Sequence, residues 1–581
     1  MSDKLINSQQ LFIAYHKFYT MKKIKVLFFL CCASLFAQEE LPKNYFNKPV
    51  KIPLVLSGNF GELRNNHFHS GLDIKTQQQS GIPIYAPADG FVNRIKVSHF
   101  GYGKALYLKH PTGYQTVYAH LKKYSDTIQK FVKNAQYKKE SYEIELFPEA
   151  NQLKVKKGDL IGYTGNSGSS EGPHLHFEIR DKNSRPMNPL LFGITIPDSR
   201  DPIVTNLYAY PLDKSSQINQ SKNPVKIRLI LQKDGSYKAE NITAFGKIGF
   251  GISAFDQQNG ASNKNGVYEV DTFYNGKQNF KVVFEKFSFA ETGYINRYID
   301  YNYFKNNKIR IQKLFRESNN PLSIIKNEIG NGILDIQDQL NSNYLIKVTD
   351  FNNNTVSISI PIIGEQLEAL TPEIVNKTDD FIFAQEGSSI TKGKFNVYIP
   401  ANSFYEDTYL DIDVKIDTLK LHKDVVPLHK KISITTDISN YNKTDIDKLY
   451  IGRLNYKKTP YYVKTSKKGN RLTAKTKKLG TFVLAVDTKK PEIKPINFLN
   501  KKWISKNKTL KIKITDDSSG ISSYRATING KFILMEYDYK KDVLTYDFND
   551  KIISEVENNL KLIVIDNVGN NTTFESTFFR K

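Results

Sequence analysis

The sequence predicts a mainly β protein: a compact antiparallel β-sheet domain followed by β-sandwich modules. Three observations predict it. Short runs with apolar residues at every second position recur along the chain and are closed by Asp-Gly, Asn-Gly and Gly-rich turns. Tyr (34) and Phe (36) are abundant, as suits pleated, half-buried surfaces. The 581 residues correspond to about four domains at roughly 150 residues each. A hydrophobic content of 39% supplies real cores and excludes a mostly disordered chain. Gly (33) and Pro (22) are too few for a fibrous protein. No apolar run approaches the roughly 20 residues of a membrane-spanning helix, which excludes a polytopic membrane protein.

The first segment, residues 1–37, reads as upstream residues followed by a signal peptide, with Met21 the expected start. Met21 to Ala37 is MKKIKVLFFLCCASLFA: Lys22, Lys23 and Lys25 precede an apolar run from Val26, and Leu35 and Ala37 stand at −3 and −1 before Gln38. Both cysteines, Cys31 and Cys32, lie inside it, so the exported chain has neither disulfides nor a thiolate metal site, and any metal falls to His and carboxylate. The formal charge is +24, and +20 once residues 1–37, with five Lys and one Asp, are removed. Anionic envelope polymers are the expected partners of such a basic exported chain. Nucleic acid is not, because no nucleic-acid motif is recognisable. The mature chain is expected to have no transmembrane segment.

Next comes a β-domain over about 45–198. Of ten histidines, seven (67, 69, 99, 110, 120, 174 and 176) fall between His67 and His176. GIPIYAPADGFVNRI (81–95), KALYLKH (104–110) and YQTVYAHL (114–121) alternate as strands, and VKKGDLIGYTGNSGSSEGPHLHFEIR (155–180) reads as turn, strand, Gly-rich loop and strand. On the last strand Leu175, Phe177 and Ile179 face one way and build core, while His174, His176, Glu178 and Arg180 face the other. His69 and Asp73 bracket Ser70-Gly71-Leu72, where Gly71 is expected to permit a turn that brings both side chains together. Zinc suits imidazole and carboxylate ligands, and a catalytic site of three protein ligands leaves a position for water. Glu178 is open to two readings, orienting a ligand imidazole or forming a surface ion pair with Arg180. His67 is read as a rim residue, Tyr118 as packing, and His16, His422 and His429 receive no role. Residues of about 124–152, rich in Lys and Glu, are expected to form a surface-loop insertion.

HSGLD, APADG, YAHL, VKKGDLIGYTGNSG and GPHLHFEIR occur in that order within this one domain. Together they resemble the lysostaphin/LytM-type zinc metallopeptidases of peptidoglycan, over roughly residues 57–190. The resemblance implies His69, Asp73 and His176 as ligands of one Zn2+, and His120 and His174 as the catalytic pair. It implies an exported zinc metalloendopeptidase that hydrolyses peptide stems or cross-bridges of peptidoglycan, in the periplasm, cell envelope or outside the cell. The competing reading is a non-catalytic wall-binding scaffold or an activator of other cell-wall hydrolases. A lipoyl-like carrier domain, suggested by APADG and VKKGDLIGYTG, leaves the five site residues unexplained.

Beyond residue 198, Asp201-Pro202, Thr371-Pro372-Glu373-Ile374 and Lys490-Pro491-Glu492-Ile493 mark module starts. The expected modules are 199–368, 369–488 and 489–581. The first and last share a faint repeat. Asp256 precedes Gly266-Val267-Tyr268 with Asn275-Gly276 beyond, as Asp516 precedes Gly520-Ile521 with Asn529-Gly530 beyond, and KVTDFNNN (347–354) parallels IVIDNVGNN (563–571). An acidic turn, strand, Asn-Gly hairpin and closing strand fit Ig-like sandwiches. Wall binding, spacing, partner docking and architectural support are all open for this tail.

Overall fold

Nine strands form the sheet that positions the histidines. Its central order is β1 (Leu56–Gly58), β2 (Leu72–Lys75), β11 (His174–Arg180), β6 (Gln115–Ala119), β5 (Lys104–Lys109), β4 (Gly90–Val97) and β8 (Ile144–Leu146), with β12 (Pro186–Met187) on β11 and β9 (Lys154–Val155) on β4. A second sheet joins β3 (Pro83–Tyr85), β10 (Leu160–Tyr163) and β7 (Lys123–Tyr124). The computed structural model describes residues 41–374, 376–442 and 445–581. The expected signal peptide with Cys31 and Cys32, and His16 upstream of it, lie outside these residues. Everything below belongs to the unit Phe46–Lys581.

The alternation on β11 becomes two different environments. Leu175, Phe177 and Ile179 have no solvent exposure and meet Ile74, Leu72 and Thr116 across the ladders. On the other face His176 stands opposite Asp73 of β2 and Ala119 of β6. Directly opposed residues share a face, so the register places Asp73 beside His176 and leaves His120 one residue beyond the end of β6.

The segment expected to be a loop insertion is ordered as helix α1 (Asp126–Lys139) and strand β8, which extends the main sheet along β4. Ile128, Val132 and Gln136 are buried along one face of α1, the i, i+4 spacing of a docked amphipathic helix.

All three remaining regions are strand-built. A 13-stranded sheet occupies residues 203–364. PVKIRLILQ, expected as one strand, is divided into Val225–Ile227 and Leu229–Leu231, which pair with different partners. Between 388 and 486, two five-stranded sheets share one core: Phe395, Val397, Ile432 and Leu472 from one meet Leu419, Leu421, Ile451 and Phe482 from the other. Residues 492–579 repeat that plan with a four- and a five-stranded sheet around Leu510, Ile512, Leu544, Leu560 and Leu562. Both are β-sandwiches. No helix among the described residues is long and apolar enough to cross a membrane.

Candidate metal centre and active site

His69, Asp73 and His176 converge. His69 Nε2 lies 3.1 Å from Asp73 Oδ1 and 3.1 Å from His176 Nδ1, and His176 Nδ1 lies 2.9 Å from the same Asp73 oxygen. The HSGLD segment achieves this differently from the expected turn. Gly71 is absent from the residues with positive φ. It is glycine because a Cβ there would stand 2.3 Å from the Phe177 carbonyl oxygen. The absence of a side chain lets β2 lie against β11 and brings His69 and Asp73 to the same side.

The far nitrogens fix the tautomers. His69 Nδ1 donates to the Asn59 carbonyl at 2.7 Å. His176 Nε2 donates to Glu178 Oε1 at 2.8 Å. With those protons committed outward, His69 Nε2, His176 Nδ1 and Asp73 Oδ1 present three lone pairs to one point. Three acceptors within about 3 Å of each other repel unless positive charge sits among them. A divalent ion with nitrogen and oxygen preferences satisfies all three at once, and two imidazoles with one carboxylate are a catalytic-zinc set. A proton is the lesser substitute: burial lowers the His176 imidazole, but hydrogen bonds to Asp73 and Glu178 outweigh this and push it up to about 9. Burial also opposes ionisation of Asp73, yet where the facing ring nitrogens carry protons, the field of His69 and hydrogen bonds from His174, His176 and His69 hold it well below the usual carboxylate range.

Glu178 is not a surface residue. It has no solvent exposure, and its Oε1 also accepts from Ser70 Oγ at 2.7 Å and from the Tyr102 hydroxyl. Its Oε2 accepts from Arg180 Nε at 2.5 Å. The ion pair with Arg180 is therefore formed in the interior rather than at the surface, and the same carboxylate holds the His176 ring. Arg180 and His176 overcome the effect of burial and keep this carboxyl ionised.

His120 and His174 flank the trio. Their ring centroids are 4.8 Å apart, and His120 is 6.0 Å from His176. His120 Nδ1 donates to the Ser167 carbonyl at 2.9 Å, and His174 Nδ1 to the Gly172 carbonyl at 2.9 Å. In the neutral tautomer each Nε2 is then the nitrogen with a free lone pair. His174 Nε2 lies 3.4 Å from Asp73 Oδ1. Burial, then the fields of His176 and His174, lower the His120 imidazole to about 3, so it is neutral at physiological pH. His120 also adopts φ of 61°, a left-handed conformation that non-glycine residues rarely hold and that clusters at working sites.

All five residues line an open groove of about 1070 Å3, together with Tyr102 and Arg64. Arg64 Nη2 reaches Asp73 Oδ2 at 3.2 Å. His67 lines the groove's rim, with Nδ1 bonded to the Asn65 carbonyl. Tyr118 is fully buried with its hydroxyl on Thr116. His99 packs between Tyr142, Tyr524 and Tyr537. Sequence reasoning missed Asn59, Ser70, Tyr102 and Ser167. Asn59 also exchanges two hydrogen bonds with Gly266, tying the His69 anchor to the following β-region.

Residues 67–137 and 149–189 match the family profile of Peptidase family M23, and residues 379–487 match that of a Zu5-like domain. The likeness to lysostaphin/LytM-type peptidases expected from the motifs is thereby borne out for this segment. The profile passes over 138–148, so α1 is largely part of the shared domain and the insertion is confined to the segment around β8. The DD-carboxypeptidase/endopeptidase Mpg of Neisseria meningitidis serogroup B is 33% identical over 130 residues, 22% of this chain and 24% of that protein. An uncharacterized metalloprotease of Haemophilus influenzae is 34% identical over 158 residues, 26% of this chain and 28% of that protein. The peptidoglycan DD-endopeptidase ShyA of Vibrio cholerae is 28% identical over 167 residues, 28% of this chain and 33% of that protein. The chain spans about a quarter to a third of the length of these curated relatives.

Proposed function

We propose that the protein is an exported, zinc-dependent endopeptidase that hydrolyses peptide stems or cross-bridges of peptidoglycan in the cell envelope. The observation that carries this reading is the meeting of His69 Nε2, Asp73 Oδ1 and His176 Nδ1 at one point, with both ring protons committed elsewhere. The relatives named for peptidoglycan and DD-endopeptidase activity support the substrate.

His69, Asp73 and His176 are the residues that would hold Zn2+, which when bound acts as a Lewis acid on a carbonyl and lowers the pKa of water. The chain's own groups then do the rest. The open groove admits an extended peptide stem across the histidines. His120 and His174, whose Nδ1 atoms are engaged by carbonyls so that Nε2 is the exchanging nitrogen, take a proton from the attacking water and deliver one to the departing amine. Whichever imidazole is protonated stabilises negative charge developing on the scissile carbonyl oxygen. The carbonyls of Ser167 and Gly172 keep both rings in the tautomer this requires.

The test is digestion of isolated sacculi by the 38–581 chain, with and without chelator, read by mass spectrometry of released muropeptides. Chelator-sensitive release of defined fragments is expected. His69→Ala, Asp73→Ala and His176→Ala are each expected to lose zinc and activity together. Stoichiometric zinc with no cleavage overturns the enzymatic reading in favour of a scaffold or activator.

A further inference from the structure

Two groups of aspartates lie outside the lining of the histidine groove. In each, three carboxylates offer one oxygen apiece, all within 4.8 Å of one another: Asp198, Asp256 and Asp350, and Asp487, Asp516 and Asp566. They are the same constellation built twice. Asp198 stands four residues before Pro202, as Asp487 stands four before Pro491. Asp256 directly follows the strand Ile242–Phe255, as Asp516 follows Thr509–Thr515. Asp350 lies in the turn between Asn341–Thr349 and Thr355–Gly364, as Asp566 opens the turn between Glu557–Asp566 and Asn571–Phe579.

Even the supporting bonds match. Asp350 Oδ1 accepts from the backbone N–H of Asn352 and Asn354, and Oδ2 from Asn354 Nδ2. Asp566 Oδ1 accepts from the N–H of Val568 and Asn570, and Oδ2 from Asn570 Nδ2. The same amides reach the entry segment, Asn354 Nδ2 to the Asp198 carbonyl and Asn570 Nδ2 to the Asp487 carbonyl.

These sites lack a counter-charge. Among the described residues no Lys or Arg forms an ion pair with any of the six aspartates. Arg200 comes near the first group but gives its guanidinium to Gln257 and Ala261. Asp256 is 7% exposed, and its Oδ1 is buried with no hydrogen-bond partner. In the second group Ser519, whose N–H donates to Asp487 Oδ2, has a buried Oγ with no partner. Burial, then Asp198 and Asp350, push the Asp256 carboxyl up to about 7. Leaving a buried carboxylate oxygen unpaired beside two others is costly.

We propose that each triad is a Ca2+ site that fastens a β-module to the segment entering it. All-oxygen carboxylate ligands without His or Cys select a hard cation. Three oxygens within 4.8 Å of one another can surround a Ca2+ at its usual distance of about 2.4 Å. Three carboxylates suit Ca2+ better than Mg2+, which keeps several waters and takes one or two carboxylates. The first ion ties the exit of the peptidase segment to the 349–355 turn; the second ties the exit of the Zu5-like region to the 566–570 turn.

The test is calorimetric Ca2+ titration of the full exported chain with its zinc supplied. Two ions per chain are expected, with dissociation constants of about 10^-4 to 10^-3 M, as in extracellular modules. Asp256→Asn should bind one, and Asp256→Asn with Asp516→Asn none, while zinc content stays unchanged. In calcium-free buffer Asp256→Asn should unfold no earlier than the parent, since it removes like-charge repulsion, and this separates lost ligation from misfolding. Absence of saturable Ca2+ binding up to about 10 mM, tenfold or more above those constants, overturns the proposal. So does unchanged Ca2+ stoichiometry in the double variant.

Discussion

Glu178 Oε1 accepts the Nε2–H of His176 at 2.8 Å in a fully buried position, and this one bond decides which nitrogen of His176 faces Asp73 and His69. Replacing Glu178 by Gln keeps its shape but supplies an amide able to donate as well as accept, and it removes the negative charge that pairs with buried Arg180. Outer-shell partners of ligand histidines are typically worth 10–100-fold in metal affinity. Glu178→Gln is expected to weaken zinc binding by about that factor, read by competition against a chromophoric chelator, and to lower the unfolding midpoint of the zinc-loaded chain.

Zinc uptake should be a proton exchange. The His176 imidazole, raised to about 9 by Asp73 and Glu178 against the pull of burial, holds a second proton below that pH when no metal is bound. Metal needs the neutral ring. Zinc affinity should therefore fall about tenfold per unit as pH drops below 9, with about one proton released per zinc at neutral pH. The metal-free fold moves the other way. Its stabilising proton is fully present below the unfolded value near 6.5 and is lost as pH rises through 9, so the stability gained from zinc widens across that window. Calorimetry in buffers of different ionisation enthalpy reads the proton directly.

The histidine-bearing strand was legible because its period is two: HLHFEIR sets Leu175, Phe177 and Ile179 against His174, His176 and Glu178 whatever the partner strands are. What the strand alternation leaves open is burial on the second face, which depends on β2 and β6 flanking β11. That is why the sequence left Glu178 open between orienting an imidazole and a surface ion pair with Arg180. The anchors at Asn59, Ser167 and Gly172 are carbonyl oxygens, and a carbonyl has no residue type to recognise. Gly71 was visible but for the wrong reason, since close approach to Phe177 and a positive φ both call for glycine. In the tail, Asp256, Asp516, Asp350 and Asp566 stood out as a repeat, whereas Asp198 and Asp487 join them only through the fold.

His120 separates chemistry from metal binding. Its ring is neutral down to about pH 3, and it is not among the three converging ligand atoms. Ala at a φ of 61° adds backbone strain, whereas Asn tolerates that conformation. His120→Asn is the cleaner variant: it should keep stoichiometric zinc and a parental unfolding midpoint while losing about 10^2- to 10^4-fold in turnover. Zinc loss in this variant would move His120 into the ligand set.

The C-terminal module reaches the loop between β10 and β11 through Lys540, whose Nζ donates to the carbonyls of Asn166 and Ser170, while the tilted rings of Tyr539 and Phe100 lie 4.6 Å apart. The loop it holds, between β10 and β11, is the one whose Ser167 and Gly172 carbonyls orient His120 and His174. The anchors of His69 and His176, Asn59 and Glu178, lie outside that loop. Lys540→Ala should thus lower kcat and spare zinc. Losing one or two such hydrogen bonds, at about 0.5–1.5 kcal/mol each, corresponds to a few-fold to roughly 100-fold loss if the loop's order is needed for proton transfer. Lys540→Arg, which can reach the same carbonyls, should recover part of it. A kcat indifferent to both substitutions would reduce this contact to docking and leave the His120–His174 pair dependent on the peptidase segment alone.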